Sequence, residues 1–113
     1  MNKYPIQNKY ELMWIMVLFD LPVIEKKERK AATDFRKFLL DSGFSMVQYS
    51  IYTKIVSGKD CCTKIYNEIE KNLPTEGNVD ILCITDKQYE NIISYTNSAK
   101  KFRKNPSKQL LLF

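Results

Sequence analysis

Leu12-Met-Trp-Ile-Met-Val-Leu-Phe19 places eight apolar residues in a row, bounded by Glu11 and Asp20. That length suits a central strand buried on both faces better than a helix. Pro22 disfavours a helical conformation at Leu21, so the strand has to end in a loop at Asp20-Leu-Pro-Val. The run falls far short of the roughly 20 apolar residues that span a bilayer. Residues 1–9 read as a polar leader, and the run ends in an acid instead of a small-residue cleavage site, so a signal peptide is not expected.

The rest of the chain is read around that strand. Glu25 to Ser42 is expected to be a helix, with Ala31, Ala32, Phe35, Phe38 and Leu39 on one face and Gly43 as its stop. Phe44 to Val56 alternates and is rich in β-branched and aromatic residues, which predicts two short adjoining strands broken off by Ser57-Gly58. Asp60 to Leu73 predicts a second helix, with Cys61 or Cys62, Ile65, Ile69 and Leu73 facing the core. Val79 to Thr85 reads as a strand, Tyr89 to Tyr95 as another short element, and Gln109-Leu-Leu-Leu-Phe113 as a closing apolar strand.

This order is the α+β, ferredoxin-like βαββαβ pattern with an additional C-terminal strand. In such a fold both helices cover one face of an antiparallel sheet, yet Leu12–Phe19 is apolar on both parities. A large bare apolar face is costly in a monomer, so a two-fold homodimer packed through its sheet faces is expected. Leu110–Phe113 would then add as an edge strand to the partner's sheet.

A chain of 113 residues holds one domain, here residues 1–98, followed by a basic segment at 99–113. All 13 acidic side chains and 13 of the 18 basic ones lie in residues 1–98, where they cancel. The net charge of +5 therefore resides in the C-terminal segment with Lys100, Lys101, Arg103, Lys104 and Lys108, as in a phosphate-contacting arm. Three cysteines without C-x-x-C spacing read as core thiols of a reducing, cytoplasmic setting. The absence of histidine excludes an imidazole triad and nearly excludes a Cys/His zinc site. Any hydrolysis would rest on a carboxylate and a hard metal ion.

Asp20 is the sharpest candidate. It shares parity with Trp14, Met16 and Leu18, and so ends the sheet face that a partner would cover. A dimer axis nearby would bring it close to its twin, and a Mg²⁺ or Mn²⁺ ion held between them would relieve the repulsion. Such an ion polarises a phosphodiester and acidifies its bound water. The plainer reading is a cap on the following helix or turn. The linear sequence places no second obvious carboxylate beside it. Gln48 and Ser50, of one parity, are candidates for contacts to phosphate or to the metal's water shell. Lys26, Arg29, Lys30, Arg36 and Lys37 lie on the outer side of the first helix, where residues 25–41 hold six cations and four anions. Helix-surface ion pairing is the ordinary expectation; doubled by symmetry, this side could track a duplex through its phosphates.

Met16-Val-Leu-Phe-Asp-Leu-Pro22, Phe35-Arg-Lys-Phe-Leu39 and Gly43-Phe-Ser-Met-Val-Gln-Tyr-Ser-Ile-Tyr52 resemble the small CRISPR-associated adaptation proteins. These are the second, endoribonuclease-assigned members of the spacer-acquisition pair. Gly77-Asn-Val and Thr85-Asp-Lys-Gln-Tyr89 extend the likeness toward the branch found with single-protein RNA-guided effectors. The resemblance implies a ferredoxin-like homodimer with Asp20 as a Mg²⁺ ligand and as the catalytic residue of a metal-dependent nuclease acting on RNA or DNA. It also implies assembly with dimers of a partner integrase, to capture short duplex DNA and insert it into the CRISPR array, a role in which catalysis is dispensable. The remaining alternative is a ferredoxin-like RNA-binding module without catalysis, against which the missing aromatic RNP pattern counts.

Overall fold

The computed structural model describes residues 11–95 and the backbone of residues 102–103, with the side chains of residues 59–61 left aside. Its order is β1 (Leu12–Asp20), α1 (Lys26–Asp41), β2 (Ser45–Gln48), β3 (Ile51–Ser57), α2 (Lys59–Glu70), β4 (Asn78–Thr85) and α3 (Asp86–Glu90), then β5 (Ser94–Tyr95) and β6 (Phe102–Arg103). The first four strands form one sheet in the order β2-β3-β1-β4, with every neighbouring pair antiparallel. This is the expected ferredoxin-like arrangement. β5 and β6 make a separate two-stranded ladder, so part of the basic segment pairs with the chain just before it.

Alternation along β1 decides what is buried. Met13, Ile15, Val17 and Phe19 join Phe35 and Leu39 of α1, and Cys62 and Ile69 of α2, in one core cluster. β3 contributes Tyr52 and Val56 to it, and Val79, Ile81 and Cys83 of β4 pack against it. Both long helices thus lie on one side of the sheet. Phe19 meets Phe35 edge-on at 5.3 Å between ring centroids, a geometry that suits the ring quadrupoles.

α1 runs within one residue of its predicted ends. Glu25 and Glu28 form a reciprocal capping box at its start, the Glu25 N–H donating to Glu28 Oε1 at 2.8 Å. At its end Gly43 adopts φ +93, which lets Phe44 N–H reach back to the Leu39 carbonyl at 3.0 Å. Lys54 projects from the helix-covered side of β3 and donates to the Ser42 carbonyl at 2.7 Å, placing a cation at the negative end of α1.

Three expectations are corrected. The second helix ends at Glu70, not Leu73, and Leu73 is exposed; Pro74 disfavours a helical Leu73, and Asn72 closes the end by donating its amide to the Glu68 carbonyl. Between Tyr89 and Tyr95 the chain is the end of a short helix followed by β5. Within Phe44–Val56, a turn at Tyr49-Ser50 and a register shift between Met46 and Gln48 break the continuous parity read from the sequence. The closing strand at Leu110–Phe113 lies outside the described residues, as does the polar leader. Among the described residues no helix is long and apolar enough to cross a membrane.

Candidate nucleic-acid interface and acidic hollow

The sheet face away from the helices carries Leu12, Trp14, Met16, Leu18 and Asp20 of β1. Opposite them stand Ile51, Thr53 and Ile55 of β3, and Asp80, Leu82 and Ile84 of β4. Its residues differ in exposure. Trp14 is covered from within the chain: its ring stacks on Tyr89 of α3 at 4.0 Å between centroids, and its indole N–H donates to Asp86 Oδ1 at 2.6 Å. Around it the face stays partly open: Leu82 is 50% exposed, and Ile55, directly across from Trp14 on β3, 43%.

Asp20 is exposed at the end of this face. It pairs with Asn78 across β4, while Leu18 pairs with Asp80. Asp80 is therefore the diagonal neighbour of Asp20 on the same face, a relation that places Cα atoms about 7–8 Å apart. Together with Leu18, Phe19, Ser50, Ile51 and Asn78, the two carboxylates line one hollow at the sheet's end. Ser50 reaches it because the Tyr49-Ser50 turn is tied to β1, Phe19 N–H donating to the Ser50 carbonyl at 3.0 Å. Gln48 ends β2, paired with Ile51, and is exposed outside this hollow. α1 takes its cap from Glu25 and Glu28, so Asp20 does not serve as that helix's cap.

Asp80 was not legible as a partner of Asp20 in the linear sequence. The available signal is the alternation Val79, Ile81, Cys83 against Asp80, Leu82, Ile84, which puts the acid on the outer face once β4 is paired with β1.

The hollow is also fixed from behind by the turn before β4. Gly77 has φ +94, and a Cβ there would lie 2.6 Å from the Asp20 carbonyl oxygen and 2.9 Å from Leu21 Cδ2. Only glycine tolerates both the left-handed backbone and that approach.

The donor set is carboxylate, amide and hydroxyl oxygen, which matches a hard cation such as Mg²⁺ or Mn²⁺. Among the described residues no three acidic or sulfur groups gather into a metal site; the hollow brings together the two carboxylates.

The basic residues of α1 divide by what they already hold. Lys30 pairs with Asp34 at 2.8 Å, and that carboxylate raises the lysine's pKa. Arg29 donates to the Ile24 carbonyl at 2.6 Å and to the Val23 carbonyl at 3.3 Å, tying down the loop after β1. Arg36 stacks over the exposed Tyr49 ring at 3.9 Å from its centroid. Lys26 and Lys37 are exposed. Lys100, Lys101 and Lys104 lie outside the described residues, and Arg103 is placed only through its backbone pairing with Ser94.

Residues 13–92 match the family profile described as "CRISPR associated protein Cas2". A protein of Paracidovorax avenae named "CRISPR-associated endoribonuclease Cas2" is 44% identical over 104 residues, covering 92% of this chain and 96% of the relative. Proteins of the same name from Flavobacterium psychrophilum and Treponema denticola are 40% and 39% identical, over 97% and 88% of this chain and 96% and 99% of their own lengths. The chain thus belongs to a CRISPR-associated class of proteins. The chain is a member of the Cas2 family.

Proposed function

We propose that the chain acts in CRISPR adaptation as a two-fold dimer that binds duplex DNA by shape and charge and bridges dimers of the partner integrase. The observation that carries this reading is the partly open apolar sheet face with Asp20 and Asp80 at its rim. Closing that face with a second copy removes exposed Leu82 and Ile55 from water, which is the driving force for association. It also doubles the basic surface of α1. The DNA itself is held through phosphates, since the exposed lysines Lys26 and Lys37 offer charge without base readout.

A second reading, metal-dependent phosphodiester cleavage, is favoured by one observation, the Asp80 carboxylate beside Asp20. Asp20 and Asp80 would hold Mg²⁺ or Mn²⁺, with Ser50 and Asn78 near its water shell. The ion, when bound, supplies charge neutralisation at a phosphate and a more acidic water. The protein's own part is to fix both carboxylates on adjacent strands of one sheet face. The same relatives' name, endoribonuclease, supports this activity for the family.

Reconstitution with the integrase separates the two readings. Asp20→Ala is expected to leave DNA bridging and integration intact while abolishing metal-dependent cleavage. Loss of integration by a folded, dimeric Asp20→Ala protein would overturn the scaffold reading; cleavage that persists would overturn the metal reading.

A further inference from the structure

Cys62 on α2 and Cys83 on β4 bring their sulfurs into contact, 2.6 Å apart, on the helix-covered side of the sheet. Cys62 is buried and Cys83 is partly accessible. Tyr66 follows Cys62 by one helical turn and lies near both thiols, which help to raise its pKa. Burial first, and then the neighbouring Cys83, push the phenol's pKa up to about 12, so it stays protonated at neutral pH. Two thiols and a phenol thus meet where the second helix crosses the fourth strand. None of them lines the acidic hollow.

We propose that Cys62 and Cys83 form a reversible oxidation site, at which a peroxide converts the two thiols into an intrachain disulfide that ties α2 to β4. The partly accessible Cys83 reacts first: its thiolate attacks a peroxide oxygen, the O–O bond breaks, and a sulfenic acid forms as hydroxide leaves and takes up a proton to become water. The Cys62 thiolate then attacks the sulfenic sulfur, the S–S bond forms and the S–O bond breaks, releasing a second water. The sulfur pair loses two electrons and the peroxide gains them. A thiol reductant reverses the bond. Persistent disulfides are rare in reducing compartments, so the bond serves as a conditional modification and not as a standing staple. This inference stands apart from the proposed function, because it draws on no residue of the interface.

The test removes the adjacent third cysteine. Reduced Cys61→Ser protein is treated with hydrogen peroxide, denatured, alkylated and weighed intact. The expected result is a monomeric chain on a non-reducing gel, with both remaining thiols protected and recovered by dithiothreitol. The oxidised form should melt on the order of 10 °C above the reduced form of the same sequence, because the bond closes a long loop. Alkylation of both thiols after treatment, a sulfinic acid on Cys83, or a disulfide between chains would each overturn the proposal, as would equal melting of the two forms. If Cys61→Ser does not fold, the wild type is treated in the same way. Its one remaining alkylated cysteine is then assigned by fragmentation, and label on Cys61 alone is the outcome the proposal requires.

Discussion

Leu18 and Asp80 stand opposite one another across the β1–β4 ladder, so Asp80 emerges from the sheet face on which Asp20 lies. The two acids come from strands separated by the whole of α1, the β2–β3 hairpin and α2. Antiparallel pairing alone brings them together.

That pairing predicts a shared cation site. Asp80→Asn should weaken Mn²⁺ binding by roughly tenfold or more, in step with Asp20→Asn, because each removes one anionic oxygen ligand. Titration calorimetry with Mn²⁺ reads this directly. Unchanged affinity in Asp80→Asn would show that Asp80 holds no cation.

The partly open sheet face predicts a hydrophobic dimer contact at Leu82. Its side chain is 50% exposed in the protomer, so Leu82→Glu should not disturb the fold. In a dimer the new carboxylate is buried without a partner, which should raise the dissociation constant roughly 100-fold. Sedimentation equilibrium would detect the monomer, and circular dichroism would confirm retained structure.

Much of the fold could be read from residue order, and the failures have physical causes. Leu12–Phe19 announces a strand because its apolar run is bounded by charges, and α1 follows from the spacing of Ala32, Phe35 and Leu39. The burial of Trp14 could not be read in the same way: its cover comes from Asp86 and Tyr89, more than 70 residues on. β1 is apolar on both parities, but α3 of the same chain covers Trp14 on its second face, so less of that face is bare than the sequence suggests. Asp20 was legible as a strand-ending acid, whereas Asp80 acquires meaning only from the register of β4 on β1.

The contacts of α1 predict unequal roles for its cations in DNA binding. Lys26→Gln with Lys37→Gln should reduce the slope of log K against log salt by about two per protomer, since these exposed lysines are available to phosphate. Lys30→Gln should change it less, because that lysine is already paired with Asp34. Binding isotherms at several salt concentrations would rank them. Equal slopes for all three would assign the DNA contact elsewhere.

Gly77 predicts a stability defect at the site's back wall. Gly77→Ala imposes a left-handed backbone on alanine and drives its Cβ toward the Asp20 carbonyl, which should cost about 2 kcal/mol or more. Urea unfolding measures the loss. An unchanged midpoint would mean that the turn rearranges freely.

Tyr66 predicts an alkaline limb. Its pKa is raised from 10.0 to about 12 in the folded protein, mainly by burial. The folded state therefore holds the phenolic proton more tightly, and this contribution is complete below pH 10 and lost as pH rises toward 12. With reductant present, Tyr66→Phe should lose stability less steeply than wild type across that window. Parallel curves would show that the phenol is not what titrates.

The stacking of Trp14 on Tyr89 carries a practical consequence. The chain has one tryptophan, and it reports from the seam between the sheet and α3. Its fluorescence is thus a native optical gauge. With the indole held against a ring and a carboxylate, release of α3 into water would shift its emission to the red, and no dye or label is needed to follow it.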